Sequence, residues 1–255
     1  MLRAGHVVSV LGNRAQAQCC VALQRCSLGG GGSLFSTTSS DDSNAGGATH
    51  DEHSHFFRSD HFHNELPEPA KDLKRGALCQ DLRARDLIHQ MLRVDLAGEA
   101  GAVGMYQGQL AVLKNTAEGP TLKEMKAHEE EHLRTFNELL PRYRVRPSLL
   151  MPLWSAAGFA LGFGSALLGK RAAYAATVAV EEVITEHYND QVRTMNEEGL
   201  QEAGLRKLLI KFRDEEQEHL DMGIHKEAEK APLYGSMSML IKTGCKAAIQ
   251  TAMRI

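Results

Sequence analysis

The residue pairs in this chain best suited to bind a metal are Glu-x-x-His, because side chains three apart project from one face of a helix. The chain has 21 glutamates and 12 histidines among 255 residues, and random placement predicts about one such pair. Three are present, Glu52–His55, Glu129–His132 and Glu216–His219. The first lies in a low-complexity tract, so we expect only the other two to form a site.

Both of these pairs lie on helical stripes of apolar residues. Four segments carry apolar residues at alternating three- and four-residue steps, which is the period of an amphipathic helix. Each stripe contains one carboxylate where a leucine would be expected, namely Glu99, Glu129, Glu181 and Glu216. Carboxylates in a bundle core are costly unless they are paired or bound to metal. The order Glu, Glu-x-x-His, Glu, Glu-x-x-His is that of carboxylate-bridged di-iron bundles.

The predicted ligand set is four carboxylates and two imidazoles without a thiolate, which suits iron or manganese better than structural zinc. Its charge of −4 balances two divalent ions, and paired iron with open positions would bind and activate dioxygen. The predicted ligands are Glu99, Glu129, His132, Glu181, Glu216 and His219. Four further residues could orient them, or could serve ordinary surface or capping roles: Asp95, His187, Tyr188 and Asp214.

These residues require four long helices, and the sequence is almost free of strand signals. The first helix is predicted from about residue 81. The second is predicted to begin at a capping box, Thr121 to Glu124, after Pro120. The third and fourth are predicted over 174–197 and 201–229. We therefore predict an all-α, ferritin-like four-helix bundle in a domain spanning residues 79–255.

An apolar segment without any charged residue connects the second and third helices, over 147–169. A membrane span there would separate the two halves of the metal site, so we predict an interfacial crossover helix at a bilayer surface. The alternative is a crossover buried inside the bundle or in a dimer contact. Residues 233–255 predict a further amphipathic helix beside it. The predicted lipid contacts are Leu149, Leu150, Leu153, Trp154, Phe159, Leu161, Phe163 and Leu167.

The N-terminal region differs in composition from this domain. Residues 1–40 contain no acid and carry Arg3, Arg14 and Arg25, a pattern typical of a mitochondrial transit peptide, with plain disorder as the alternative. Residues 41–78 predict a disordered linker rich in His, Gly and Ser, whose histidines could also bind metal. The net charge of −3 argues against nucleic acid as a partner. The five cysteines form no CxxC pair, which argues against a zinc ribbon.

Four linked motifs carry a resemblance to a known family: VDLAGEAGAVGMYQGQ (94–109), HEEEHL (128–133), TVAVEEVITEHYNDQVR (177–193) and FRDEEQEHLDMG (212–223). Together they resemble the mitochondrial 5-demethoxyubiquinone hydroxylases of coenzyme Q biosynthesis, over residues 79–255. The family's iron ligands fall on the same six residues, with Glu129 and Glu216 as bridges. The long His-rich N-terminal tract departs from the family pattern.

The resemblance implies a di-iron monooxygenase that uses O2 to hydroxylate the ring of a polyprenylated demethoxy-benzoquinol. It implies a peripheral location on the matrix side of the mitochondrial inner membrane and a coenzyme Q biosynthetic complex that includes a lipid-binding partner protein. NADH is the expected electron source, although the chain has no GxGxxG motif after a strand. The alternatives are a ferritin-like ferroxidase or iron-binding protein, and a metal-free membrane scaffold.

Overall fold

The computed structural model describes residues 78–255, together with Leu66, and all regular structure in these residues is helical. The predicted all-α class is therefore confirmed. The predicted transit peptide and nearly all of the predicted linker lie outside the described residues. In chain order the helices are α1 (Leu78–Leu113), α2 (Gly119–Tyr143), α3 (Met151–Leu167), α4 (Lys170–Glu197), α5 (Ala203–His225), a 3-10 helix (Ala228–Lys230) and α6 (Tyr234–Ala252).

The start of α2 differs from the sequence prediction. The helix begins at Gly119, so Thr121 lies inside it, buried, and no side chain caps the N-terminus. The capping-box prediction is therefore wrong. Pro120 is the reason that the helix can begin earlier, since a proline in the first turn lacks only a backbone N–H that has no partner there in any case.

Glu118, just before α2, has a different role from capping. Its buried carboxylate accepts hydrogen bonds from Lys170 Nζ at 3.1 Å and from the Tyr174 hydroxyl at 3.0 Å. Lys226 Nζ lies 3.1 Å from Oε2, the same oxygen that Tyr174 contacts. These contacts hold the pKa of Glu118 below its usual value although burial alone would raise it. The carboxylate thereby ties the start of α2 to α4 and to the end of α5.

Helices α1, α2, α4 and α5 form the predicted bundle, with α1 against α2 and α4 against α5. Their apolar stripes form two buried clusters. One contains Met105, Leu122 and Tyr174, and the other contains Leu92 and Phe136. On each of the four helices, the one glutamate of the stripe lies between residues of one cluster and residues of the other. The core therefore has a polar layer at its middle that is sealed by apolar side chains on both sides.

Helix α3 lies outside these four helices and packs along α1. The contact depends on glycine, because a Cβ atom at Gly158 or Gly162 would overlap the carbonyl oxygen of Gly101 or Met105 on α1. Only glycine allows two helix backbones to approach this closely. Within α3, only Gly162, Ser165 and Ala166 are buried. The alternative of a crossover buried inside the bundle is therefore wrong.

The outward face of α3 and the turn before it is apolar. The side chains of Leu149, Leu153, Phe159, Phe163 and Leu167 are exposed, and Leu149 retains 82% of its accessible surface. The other three predicted lipid contacts, Leu150, Trp154 and Leu161, are half-buried. The indole Nε1 of Trp154 donates a hydrogen bond to Ser148 Oγ at 3.2 Å. Contact of this face with lipid stays a prediction.

Helix α6 packs on α4 and has an amphipathic character. Ile241 is buried, whereas Leu240 is 74% exposed. Two ion pairs join the helices, Lys242 with Glu182 and, at 2.9 Å, Lys246 with Glu186. None of the helices described here is long and apolar enough to cross a membrane.

Candidate metal centre

Helices α2 and α5 each bring a Glu-x-x-His pair into the polar layer. Glu129 and His132 are 0% and 1% exposed, and Glu216 and His219 are 1% and 0% exposed. The three-residue spacing places both members of each pair on one helix face, as the sequence predicted. The surrounding apolar clusters remove water from all four side chains.

The six predicted ligand residues meet in one cluster, because α1 and α4 add Glu99 and Glu181. His132 Nδ1 lies 3.0 Å from Glu216 Oε1 and 3.5 Å from Glu99 Oε2. His219 Nδ1 lies 3.0 Å from Glu129 Oε1 and 3.1 Å from Glu216 Oε2. The cluster therefore joins all four bundle helices at one level.

The cluster divides into two overlapping groups, in each of which the donor atoms lie within 4.8 Å of one another. One group is Glu99, Glu129, His132 and Glu216, and the other is Glu129, Glu181, Glu216 and His219. Glu129 and Glu216 belong to both groups. Two groups that share two carboxylates have the donor arrangement for two neighbouring metal ions with bridging carboxylates.

The charge of the cluster fits bound cations. Glu129 Oε2 and Glu181 Oε2 are buried and accept no hydrogen bond from any residue that the structure describes. Burial, followed by repulsion from neighbouring carboxylates, raises the pKa of Glu129 and of Glu181 well above the usual value. Glu216 behaves differently, since hydrogen bonds to His132 and His219 lower its pKa despite burial. Hard oxygen and nitrogen donors of this kind could hold two divalent ions.

Two tyrosines hold the glutamates that belong to one group only. The Tyr188 hydroxyl on α4 donates to Glu99 Oε1 at 2.5 Å, and the Tyr106 hydroxyl on α1 donates to Glu181 Oε1 at 2.9 Å. Each tyrosine lies seven residues after the glutamate of its own helix and contacts the glutamate of the other helix. The sequence prediction included Tyr188 but missed Tyr106, although the repeated Glu-x6-Tyr spacing was a usable signal.

The outer nitrogens of the two histidines have different partners. His132 Nε2 lies 2.8 Å from Glu215 Oε2, whereas His219 Nε2 lies 3.3 Å from His128 Nδ1. Glu215 and His128 occupy equivalent positions, since each directly precedes a shared glutamate. Burial, followed by the neighbouring His219 and His132, lowers the pKa of His128 to about 4. The sequence analysis did not predict either residue as a partner of the cluster.

Three other residues were named from the sequence as able to orient the ligands: Asp95, His187 and Asp214. Asp95 Oδ1 accepts a hydrogen bond from Gln191 Nε2 at 2.6 Å, and the same amide nitrogen lies 2.9 Å from His187 Nε2. Neither contact is to one of the six cluster residues, but Asp95 and His187 line one cavity together with Glu99. Asp214 is exposed and binds Arg213 at 2.5 Å, so the structure does not bring it to the ligands.

A cavity of about 510 Å³ lies between α1, α3, α4 and α6 and reaches this cluster. Its polar lining comes from Asp95, Glu99, His187 and Tyr188, and most of the rest of its wall is apolar. The exposed Leu240 also lines it, which places the cavity in contact with the surface beside α6. An apolar pocket with a few converging polar groups is the usual form of a small-molecule site.

An all-α bundle with two carboxylate–histidine groups that share two glutamates belongs to the ferritin-like class of dinuclear-metal carboxylate proteins. Within this class a family model described as "Ubiquinone biosynthesis protein COQ7" matches residues 86–252. The chain therefore belongs to the COQ7 family, and the resemblance noted from the motifs is confirmed.

Three relatives illustrate the similarity. The "NADPH-dependent 3-demethoxyubiquinone 3-hydroxylase, mitochondrial" of Dictyostelium discoideum is 52% identical over 67% of this chain and 79% of its own. The "3-demethoxyubiquinol 3-hydroxylase" of Rhodospirillum rubrum is 49% identical over 66% and 79%. The "5-demethoxyubiquinone hydroxylase, mitochondrial" of Saccharomyces cerevisiae is 40% identical over 76% and 87%. The mitochondrial relatives agree with the predicted location.

Proposed function

We propose that this chain is a demethoxyubiquinone hydroxylase, a di-iron monooxygenase that acts on a polyprenylated demethoxy-benzoquinol in ubiquinone biosynthesis. The observation that carries the proposal is the contact between two overlapping carboxylate–histidine groups and a largely apolar cavity. The reaction replaces a ring C–H by C–OH. One oxygen atom of O2 enters the ring, and the other leaves as water after uptake of two electrons and two protons.

The six cluster residues would hold two iron ions. Glu99 and His132 would bind one ion, Glu181 and His219 would bind the other, and Glu129 and Glu216 would bridge them. The bound iron supplies the dioxygen and redox chemistry that no side chain provides. A reduced nicotinamide nucleotide is the ultimate electron source. We predicted NADH, whereas the name of the Dictyostelium relative specifies NADPH.

The side chains around the cluster position and shield the reaction. Tyr188 and Tyr106 fix the carboxylates of Glu99 and Glu181 by hydrogen bonds, and burial raises the pKa of both phenols well above normal, so they remain donors. The wall of the cavity excludes water from the ring. Its polar end at Glu99 and its apolar remainder match a substrate with a polar ring and an isoprenoid tail.

The apolar faces of α3 and α6 would bring the chain to its lipid substrate. Leu149, Leu153 and Leu167 project from the α3 region, and Leu240 projects from α6 beside the cavity. A surface of this kind binds the interfacial layer of a bilayer. We place the chain on the matrix side of the mitochondrial inner membrane, within a biosynthetic complex that contains a lipid-binding protein, as the family resemblance implies.

Liposome flotation tests the membrane surface. The triple variant Leu149→Glu, Leu153→Glu and Leu167→Glu should lose binding to vesicles of phosphatidylcholine and cardiolipin, and should keep its thermal stability because all three side chains are exposed. Ile224→Glu, on an exposed position of α5, is the matched control and should bind as the wild type does. Unchanged flotation of the triple variant would exclude this surface.

The lipid-quinone profile of cells tests the reaction. Cells that lack the chain should accumulate demethoxyubiquinone, and the wild type should restore ubiquinone. Glu181→Ala and His219→Ala should fail to restore it, whereas the surface variant Asp214→Ala should succeed. The hydroxylase proposal fails if no demethoxyubiquinone accumulates. Assemblies loaded with many iron ions, together with a normal quinone profile, would instead indicate the ferroxidase alternative.

A further inference from the structure

The wall of the cavity contains a glycine that the packing of the helices does not require. Gly98 lies in the interior of α1 and lines the cavity next to Glu99. Apart from neighbouring atoms of α1, a Cβ atom added at Gly98 would meet only Ile184 Cδ1 within 4 Å among the described residues, at an ordinary contact distance of 3.7 Å. Glycine inside a helix is less stable than alanine. Gly98 therefore lowers stability without relieving any contact between helices.

Other glycines of α1 differ from Gly98 in this respect. A Cβ atom at Gly104 would overlap the carbonyl oxygen of Ser155 on α3, and one at Gly108 would overlap that of Phe159. Both glycines are needed because the backbones of α1 and α3 touch there. No backbone of another described helix comes this close to Gly98, so its missing side chain needs a different explanation.

The internal repeat of the bundle shows that the cluster does not need this glycine. Gly98 directly precedes Glu99, and the residue that directly precedes Glu181 in the other half is Val180. The side chain of Val180 is accommodated there, and the residue is only 8% exposed. A glutamate of the cluster can therefore follow a β-branched residue. The absence of a side chain at Gly98 is specific to the α1 wall of the cavity.

The missing side chain leaves space in the cavity itself. Gly98 lies on one stripe of α1 with Val94, four residues before it, and Met105, seven residues after it, and all three line the cavity. Gly98 is half-buried, whereas its neighbours Ala97 and Glu99 are buried. The cavity therefore reaches the backbone of α1 at Gly98, directly beside the cluster.

We propose that Gly98 determines the specificity of the cavity for a flat ring, because the ring of the quinone lies against the α1 backbone at this residue. The inference rests on the proposed function and names the residue that admits the substrate ring. Glycine allows a ligand to approach a backbone closely, and a planar ring fits against such a surface. Glu99 lines the cavity and Glu181 does not, so the ring lies at the carboxylate–histidine group that contains Glu99.

The variant Gly98→Ala tests the proposal, because it adds one methyl group where the ring is expected to lie. The full-length chain, as purified and kept anaerobic, is titrated with the oxidised form of a short-tailed demethoxyubiquinone. Trp154 is the single tryptophan of the chain and lines the cavity, so its fluorescence reports binding. Thermal unfolding and the metal content per chain are measured on the same samples.

We expect stability and ring binding to change in opposite directions in Gly98→Ala. The Tm should rise by about 1 to 4 °C, because alanine favours the helix and the added methyl group meets no close contact. The affinity for the ring should fall at least about tenfold, because the methyl group takes space that the ring needs. The metal content should be unchanged. Gly98→Leu extends further into the cavity and should bind the ring more weakly than Gly98→Ala.

The matched control is Gly164→Ala on α3. Gly164 is exposed and does not line the cavity, and no heavy atom of the described residues lies within 4 Å of a Cβ atom added there. This variant should keep or raise the Tm and should bind the ring as the wild type does.

Equal affinity for the ring in Gly98→Ala and the wild type would overturn the role of Gly98 while leaving the hydroxylase proposal intact. A lower Tm or a lower metal content in Gly98→Ala would also overturn it, since the glycine would then serve the packing of the bundle. Failure of the wild type to bind the ring would instead contradict the proposed function itself.

Discussion

The two halves of the bundle, α1 with α2 and α4 with α5, make the same cluster with partly different residues. Each half has a glutamate, a tyrosine seven residues later and a glutamine ten residues later on its first helix, and a Glu-x-x-His pair on its second. The halves differ where one has Asp95 and the other Thr177, and where one has His128 and the other Glu215. The repeated residues surround the cluster, whereas the unequal residues make its two ends chemically different.

The largest expected effect comes from changing the glutamates of the cluster, and it differs between a glutamate that belongs to both groups and one that belongs to a single group. Glu129→Gln changes a residue of both groups and should abolish binding of both metal ions, whereas Glu181→Gln should leave the ion held by Glu99 and His132. Both variants should lose at least about a hundredfold in activity, more than a change at an outer partner causes. Metal content per chain, measured by mass spectrometry, checks this. Retention of one ion by both variants would contradict the sharing of Glu129.

The next effect compares the outer partners of the two histidines. Glu215→Gln removes a carboxylate that makes His132 a stronger donor, and should weaken metal binding by about ten- to a hundredfold. His128→Gln replaces one neutral acceptor by another next to His219 and should change affinity by less than about threefold. Competition with a chelator measures both. Equal losses would show that the two ends of the cluster are equivalent.

Changing either of the two tyrosines should have a smaller effect on metal affinity, and the effect should be similar for both. Tyr106→Phe and Tyr188→Phe each remove one neutral-to-charged hydrogen bond to a glutamate, and each should lower metal affinity by about tenfold. Tyr188 also lines the cavity, so only Tyr188→Phe should change the KM for the quinol. A KM effect of Tyr106→Phe would mean that the substrate also contacts the second half.

The smallest effect is the pH dependence of the metal-free protein above about pH 7. The folded-state pKa values of Glu129 and Glu181 are raised above 4.5, so the folded state keeps protons that the unfolded state has lost. Hydrogen bonds to Glu215, Glu216 and Glu99 raise the pKa of His132 despite burial, with the same sign. Stability should therefore fall as pH rises, by several degrees in Tm between about pH 7 and 8.5.

Controls for this prediction follow from the unequal halves. The pKa of His128 is lowered to about 4, so its opposite contribution is confined below its unfolded value near 6.5. His128→Gln should then leave the slope above about pH 7 unchanged, whereas Glu215→Gln should reduce it. Bound divalent ions should flatten the slope, because they favour the ionised carboxylates. A metal-free protein that gains stability over this range would contradict the charge balance described for the cluster.

The sequence predicted the parts of the structure that helical periodicity controls. The four stripes and the positions of the six cluster residues follow from spacing, because one face of each helix must be buried. The start of α2 was mispredicted, since Thr121 matches a capping box locally but Glu118 is held by Lys170 and Lys226 from distant helices.

Most contacts between side chains of different helices could not be predicted from the sequence. Asp214 was named as a residue that could orient the ligands or serve a surface role, and the structure has it exposed on the surface of α5. Glu215 was not among the residues predicted for the site, and its contact with His132 depends on the way α5 faces α2. This contact connects residues 83 positions apart, and local periodicity carries no information about it.

The glycine contact between α1 and α3 has a consequence for which substrates the protein can use. Because the two backbones touch, the distance between the apolar outer face of α3 and the cluster is set by backbone contact rather than by flexible side chains. On the proposed function, this distance sets how far the substrate ring must move from the lipid surface to reach the cluster. Isoprenoid units beyond the cavity remain in the bilayer, so their number does not affect the reaction. One such chain should therefore serve cells whose ubiquinones differ in tail length.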